Sequence, residues 1–196
     1  MKLYLLRHGK TKINEKHLIQ GRVNYSLSKS GINEVKEIAK LFHKEGLKFD
    51  IIYSSPLLRA YETAQIFKEE FSFNKDIIIK DELTEREFGK AEGKPITDVI
   101  FDIIENDGIE GLEKSNDLKN RAYNVFYEIA SSSDNNAVIV FCHAQLIKAF
   151  LLLFTDKIRY RDHIRNASIT TFTFENGKFN LIAYNEYPGE SGLWKI

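Results

Sequence analysis

A continuous run of apolar residues at 137–141, with the sequence AVIVF, constrains the fold more than any other segment. The run is rich in β-branched residues and has no alternation of apolar and polar side chains. Such a pattern is typical of a strand in a sheet that is covered on both faces, as in proteins with a parallel sheet. The polar pair Cys142-His143 follows it directly. We therefore predict a buried strand that ends just before His143.

The rest of the chain alternates short apolar segments with segments of helical spacing. Further strands are predicted at 2–6, 50–53 and 77–79, and loops at 9–30 and 82–95. Helices are predicted at about 28–45, after the tripeptide at 54–56, and at about 96–105, 116–130 and 144–154. Segments 168–174 and 178–184 flank Asn176-Gly177, a strong signal for a β-hairpin. This order predicts an α/β fold with a mainly parallel central sheet, helices on both faces and a C-terminal β-hairpin.

Composition narrows the class of protein. The length of 196 residues predicts a single domain over 1–196, at roughly 150 residues per domain. The formal net charge is zero, so we expect no nucleic-acid partner. The one cysteine excludes an intramolecular disulfide framework and a Cys-based zinc site. The apolar run at the N-terminus is too short for a signal sequence or a membrane span, which predicts a cytoplasmic protein without a membrane partner. Monomer and homodimer both stay open.

Polar side chains follow three of the predicted strands. They are Arg7-His8-Gly9, Ser54-Ser55-Pro56 with Arg59 nearby, and Cys142-His143. In sheets of this kind, ligands bind beyond the carboxyl ends of the strands. If the three strands are neighbours, two histidines and two arginines share one site.

Two arginines and two histidines favour phosphate over a metal ion. The set contains no carboxylate, and guanidinium groups repel a divalent cation, so neither a metal nor another cofactor is expected. A guanidinium group can donate two parallel hydrogen bonds to the oxygens of a phosphate. A neutral imidazole is a competent nucleophile towards phosphorus. Phosphoryl transfer also needs an acid that protonates the departing oxygen. The predicted loop at 82–95 offers four candidates: Glu82, Glu85, Glu87 and Glu92.

Several of these segments together resemble the motifs of one family. Arg7-His8-Gly9-Lys10-Thr11, followed by Asn14, is similar to the R-H-G-x-T-x-x-N signature of the histidine phosphatase (phosphoglycerate mutase-like) superfamily. Gln20-Gly21-Arg22 resembles the next loop of its small phosphatase branch, and 55–64 resembles its second arginine motif. Segment 83–93 resembles the general-acid loop, and His143 stands where the second catalytic histidine follows a buried strand. The resemblance extends over nearly the whole chain.

This resemblance implies a role for each catalytic residue. His8 attacks phosphorus and becomes phosphohistidine, while Arg7, Arg59 and His143 hold the non-bridging oxygens. Glu85 protonates the leaving oxygen and then activates water, with Glu82 and Glu87 as alternatives for the acid. The implied substrate-binding residues are Asn14, Thr11, Gln20, Gly21, Arg22, Arg86 and Ala144.

Three functions fit the motifs, and each predicts something different. We favour hydrolysis of a small phosphorylated metabolite, because residues 94–115 are too few for the segments that close the pocket of the family's mutases. A mutase that returns the phosphoryl group to its substrate is the alternative within the family. A non-catalytic module that binds a phosphorylated ligand would have lost His8 or Glu85, and both are present.

The chain departs from the family pattern at a few positions. Ala144-Gln145 follow His143 where glycine is common, and Lys10 stands where an acidic or amide residue is commoner. Lys148 stands where arginine is frequent. These differences concern the substrate more than the chemistry. Outside the motifs, we expect three surface histidines and a basic segment that is either solvated or guides an anionic substrate: His17, His43, His163 and residues 157–165.

Overall fold

The computed structural model describes residues 1–132 and 136–190. Its six strands form one sheet in the order β3-β2-β4-β1-β5-β6. The pairs β3–β2, β2–β4 and β4–β1 are parallel. The pairs β1–β5 and β5–β6, at one edge of the sheet, are antiparallel. The bounds are β1 Lys2–Arg7, β2 Ile51–Ser54, β3 Ile77–Ile79, β4 Ala137–Cys142, β5 Ile169–Glu175 and β6 Lys178–Glu186. The predicted fold class is confirmed.

Strand β4 lies inside the sheet, and all six of its residues are buried. Side chains alternate between the faces, so Val138 and Val140 pack in one hydrophobic cluster while Ile139 and Phe141 pack in another. The helices α2 and α3 contact each other on the second face, and α5 and α6 contact each other on the first. The helices are α1 Lys12–Glu15, α2 Lys29–Lys44, α3 Leu58–Glu70, α4 Asp98–Glu105, α5 Ser115–Ser131 and α6 Ala144–Leu151.

Two predictions of secondary structure were wrong in detail. The predicted loop at 9–30 contains helix α1, which begins after Thr11. The side chains of Thr11 and Asn14 bond to each other's backbone amides, a capping box that stabilises this single turn. Helix α6 ends at Leu151 rather than at 154, because the chain tightens into a turn there and Phe154 packs edge-on against Phe172.

The C-terminal hairpin is confirmed. Strands β5 and β6 pair in antiparallel register, with Glu175 opposite Lys178. Both turn residues, Asn176 and Gly177, have positive φ, as the tight turns that suit the twist of a hairpin require.

A third hydrophobic cluster is separate from the two that cover the sheet. Helix α4 contributes two of its buried residues. The buried residues of the cluster are Ile19, Phe88, Ala91, Ile100, Ile104 and Leu112. Salt bridges from Arg161 to Asp102 and Glu105 attach α4 to the segment before β5. Among the described helices, none is both long and apolar enough to span a lipid bilayer.

Candidate active site

The strand register brings the three polar segments together at one edge of the sheet. Strand β4 lies between β1 and β2, with Cys142 opposite Arg7 and Phe141 opposite Ser54. One residue further along, the amide of His8 donates to the carbonyl of Cys142 at 3.1 Å. The two histidines and two arginines therefore do share one site, as the sequence predicts.

His8 is buried and its two ring nitrogens have different partners. Nδ1 lies 2.7 Å from the carbonyl oxygen of Gly9, so it carries the proton and donates. Nε2 accepts a 3.1 Å hydrogen bond from Nε of Arg59. Burial lowers the pKa of His8 well below its usual value, and the charges of Arg59 and Arg7 act in the same direction. At neutral pH the imidazole is therefore neutral, with its lone pair on Nε2.

The backbone after His8 is in close contact with helices α2 and α3. The amide of Gly9 donates to Oγ1 of Thr63 at 3.1 Å. A Cβ atom at position 9 would lie 2.4 Å from Cγ2 of Val35, so a larger residue would displace the loop. This close approach explains why glycine follows the histidine.

Arg59 and Arg7 place two positive charges at the site, the first fully buried and the second partly buried. Arg59 is fully buried in the first turn of α3, where it donates to the carbonyls of Val23 at 3.1 Å and Gly21 at 2.7 Å. Arg7 donates to the carbonyl of Ile164. Burial lowers the pKa of each arginine to about 10, which leaves both charged at neutral pH. The site thus has a fixed positive field suited to a phosphate dianion.

His143 lies on the other side of His8, with 5.2 Å between the two ring centroids. Its Nε2 is 2.8 Å from Oγ of Ser55, whereas its buried Nδ1 has no hydrogen-bond partner within the described residues. Burial lowers the pKa of His143 well below its usual value, and Arg59 and His8 add to this. A bound dianion would reverse the sign of the local field and favour the imidazolium form.

Glu85 is the one of the four candidate glutamates that lines the same cavity as His8. Its carboxylate accepts hydrogen bonds from the amides of Arg86 at 2.9 Å and Gln145 at 3.1 Å, the latter in the first turn of α6. The remaining three glutamates lie elsewhere: Glu82 is exposed, Glu87 pairs with Arg22, and Glu92 accepts from the amide of Gly21.

The cavity has a volume of about 230 Å³. Arg7, His8 and Glu85 form its polar floor. One wall is apolar and contains Leu18, Ile19, Phe88, Ile96 and Phe101. The other wall, which we call the polar wall, is formed by Gln145, Lys148, Arg161, Asp162 and His163.

The predicted substrate-binding residues fall into three groups: those that line the cavity, those that support the lining, and those that lie outside it. Asn14, Gln20 and Ala144 line the cavity. Thr11 lies behind them, where its hydroxyl donates to Oε1 of Gln20 at 2.8 Å, and Gly21 supports Arg59 through its carbonyl.

The other two predicted residues, Arg22 and Arg86, lie outside the cavity lining. Arg22 pairs with Glu87 near the surface. The side chain of Arg86 is fully buried and pairs with Asp107 at 2.7 Å, so it holds the loop that carries Glu85 rather than facing the cavity.

Sequence reasoning missed part of the polar wall. His17 and His163 are exposed, as expected for surface histidines, yet both line the cavity. Lys148 also lines it, and the departure from arginine at this position was the only signal. In the basic segment at 157–165, Arg161 is paired with Glu105 and Arg165 with Glu190, so much of its charge is neutralised.

In the stretches 1–132 and 136–190, no three His, Cys, Asp or Glu side chains are grouped so that they could hold a metal ion. Cys142 is buried beneath the site, and burial raises the pKa of its thiol.

Comparison with known proteins places this geometry in a family. The model of the histidine phosphatase superfamily (branch 1) matches residues 3–187. Putative phosphoserine phosphatase 2 of Hydrogenobacter thermophilus is 30% identical over 198 residues, which cover 94% of this chain and 95% of that protein. The 2,3-bisphosphoglycerate-dependent phosphoglycerate mutase of Thermoplasma acidophilum is 30% identical over 185 residues, with 89% and 88% covered.

A solved structure agrees with these sequence relatives. Phosphoserine phosphatase from Entamoeba histolytica, in complex with 3-phosphoglyceric acid, superposes with a TM-score of 0.78 at 28% identity, with 98% of each chain covered. The site geometry, the family model and the relatives agree, and we conclude that this chain belongs to the histidine phosphatase superfamily, branch 1.

Proposed function

We propose that this protein is a metal-independent phosphomonoesterase that hydrolyses a small phosphorylated metabolite through a phosphohistidine at His8. The observation that carries the proposal is the state of His8. It is a neutral imidazole with its lone pair on Nε2, it accepts a hydrogen bond from the buried Arg59, and it lines the same cavity as Arg7 and Glu85. Nucleophile, positive charge and acid are thereby within one small space.

The first half-reaction forms a P–N bond and breaks a P–O bond. As the phosphate approaches, Nε of Arg59 transfers its hydrogen bond from Nε2 of His8 to a phosphate oxygen, which frees the lone pair for attack on phosphorus. Arg7 and His143 bind the remaining non-bridging oxygens. Glu85, in its protonated form, gives its proton to the departing oxygen, so the product leaves as an alcohol.

The second half-reaction returns the enzyme to its starting state. Glu85 is now ionised and accepts a proton from a water molecule, whose oxygen attacks phosphorus. The P–N bond breaks, its electrons return to Nε2 of His8, and inorganic phosphate leaves. The residues that neutralise charge are the same in both steps.

Activity is expected to survive chelation, because the charge of the transition state is met by Arg7, Arg59 and His143. We expect unchanged turnover in EDTA and strong inhibition by vanadate, whose trigonal-bipyramidal form matches the transition state. Phosphate release, measured with and without each reagent, checks both. Loss of activity in EDTA that a divalent ion restores would contradict the proposal.

Hydrolysis is expected to dominate over mutase activity. Residues 94–115 form only helix α4 and its flanking turns, and the exposed His17 and His163 at the cavity leave water a path to phosphohistidine. The relatives are named for both activities.

The measurement starts from a panel of phosphorylated metabolites that includes phosphoserine and 3-phosphoglycerate, the ligands named in the Entamoeba histolytica structures. Inorganic phosphate and the isomerised phosphoglycerate are then quantified in the same samples. A predominance of isomer over phosphate would establish the mutase alternative instead.

A further inference from the structure

Lys148 is a buried cation on the polar wall of the cavity. It lies in the second turn of α6 and is 4% exposed. Its Nζ donates to the carbonyl oxygens of Tyr160 and, at 3.0 Å, Asp162, and lies 6.0 Å from the ring centroid of Phe101. None of the ion pairs formed within the described residues includes Lys148.

A buried ammonium group without a carboxylate partner is costly, because desolvation is repaid only in part by neutral carbonyl oxygens. Two of its three N–H donors are used by these carbonyls. Burial lowers the pKa of Lys148 to about 7; the charge of Glu85 opposes this shift and that of Arg7 reinforces it. An anion bound in the adjacent cavity, which Arg7 and His8 also line, would supply the missing negative charge.

We propose that Lys148 is a further ligand-binding residue, which takes the bound dianion as its counter-ion and gains a proton from solvent when the ligand binds. The inference rests on the proposed function, because it requires a phosphate dianion at His8 and Arg7. In this step, the neutral amine of Lys148 accepts one proton from solvent, and the ammonium group that forms pairs with the bound dianion. An arginine at this position would keep its charge and import no proton.

The groups that face Lys148 fix the pH range in which the effect is visible. They come from β1, the general-acid loop, α4 and the segment before β5, and are Arg7, Glu85, Glu105, Asp162 and His163. Burial and nearby cations, including Arg7 and Lys148, lower the pKa of His163, so its own proton uptake occurs in the acid range. Arg7 stays charged to about pH 9, since its pKa is about 10.

The direction of the pH dependence of affinity follows from the protonation state of Lys148 before the ligand binds. Below pH 7, Lys148 is already charged and takes up no proton when the ligand binds. Above pH 7, binding must import one proton, so the affinity falls about tenfold for each pH unit. Between pH 7 and pH 9 the expected loss is about a hundredfold.

The test is isothermal titration calorimetry with tungstate, which remains a dianion over this range. Titrations between pH 6.5 and 9, each in two buffers of different ionisation enthalpy, give affinity and proton uptake together. Near pH 9, the wild type is expected to take up one proton more than Lys148→Arg does, because any proton that reaches His143 is common to both proteins. Between pH 7 and pH 9, Lys148→Arg is expected to lose about a hundredfold less affinity than the wild type. Lys148→Met is expected to bind at pH 6.5 as weakly as the wild type does at pH 9.

Lys157→Arg, at an exposed lysine, is the matched control and is expected to follow the wild type. Circular dichroism checks the fold of each variant, and the arginine variant alone decides the question if the methionine variant does not fold. Equal proton uptake by the wild type and Lys148→Arg near pH 9 overturns this inference and leaves the phosphate site standing. No tungstate binding by the wild type at pH 6.5 overturns both.

Discussion

Replacing His8 by alanine is expected to lower turnover by about 10⁴- to 10⁶-fold, the range seen when an enzyme loses its nucleophile. Of the two histidines that follow the strands, His8 is the one that lines the cavity and whose Nε2 contacts Arg59, whereas His143 is bonded to Ser55 through Nε2. Burial raises the pKa of the Cys142 thiol, which keeps this thiol protonated. The measurement is steady-state phosphate release. His43→Ala, at an exposed histidine that stacks on Phe71, is the matched control and should retain full activity.

The same prediction has a chemical readout that does not depend on rate. Wild-type protein that is mixed with ³²P-labelled substrate and quenched in base should carry label on His8, because a phosphoramidate survives base and is lost in acid. The His8→Ala variant should carry none. Label that survives acid, or that maps to another residue, would rule out the proposed nucleophile.

Replacing Glu85 by glutamine is the second large effect. An alkoxide leaving group needs a proton as it departs, whereas nitrophenolate hardly does. We therefore expect Glu85→Gln to slow phosphoryl transfer from an alkyl phosphate by about 10²- to 10⁴-fold, with a much smaller effect on p-nitrophenyl phosphate. Glutamine retains an acceptor oxygen for the amides of Arg86 and Gln145, so the loop is expected to stay in place.

The comparison must be made in the burst phase, because Glu85 also serves the hydrolysis of phosphohistidine. Rapid-mix measurement of the first turnover, with each leaving group, separates the two steps. Glu87→Gln, at an exposed glutamate of the same loop, is the matched control. If Glu85→Gln slows both leaving groups equally in the burst, then Glu85 is not the acid, and Glu82→Gln becomes the next variant to make.

The sheet and the floor of the site could be predicted from the sequence because both depend on short-range patterns. The buried run at 137–141 and the Asn176-Gly177 turn are local signals, and parallel strands place their carboxyl ends at one edge. Once β4 lies between β1 and β2, His8 and His143 must be neighbours.

The walls of the cavity could not be predicted in the same way. His163 lies in a segment without regular structure, which Lys148 of α6 holds through hydrogen bonds to the backbone carbonyls of Tyr160 and Asp162. Backbone carbonyls are present at every residue, so these bonds leave no signal in the sequence. Arg86 shows the opposite error: it adjoins Glu85 in sequence, but its side chain turns away to Asp107. Helix α1 was overlooked because a single capped turn has no periodicity, only the spacing of Thr11 and Asn14.

The separation of the third hydrophobic cluster from the two that cover the sheet has a consequence for ligand specificity. The residues that do the chemistry follow strands and helices of the main clusters, whereas Ile19 and Phe88, which shape the apolar wall, belong to the third. Mutations in the apolar wall are therefore expected to destabilise mainly the third cluster, and to leave His8 and the two arginines in place. We therefore expect substitutions in this layer to change which ligand the cavity accepts, while the arrangement of His8, Arg7 and Arg59 is retained.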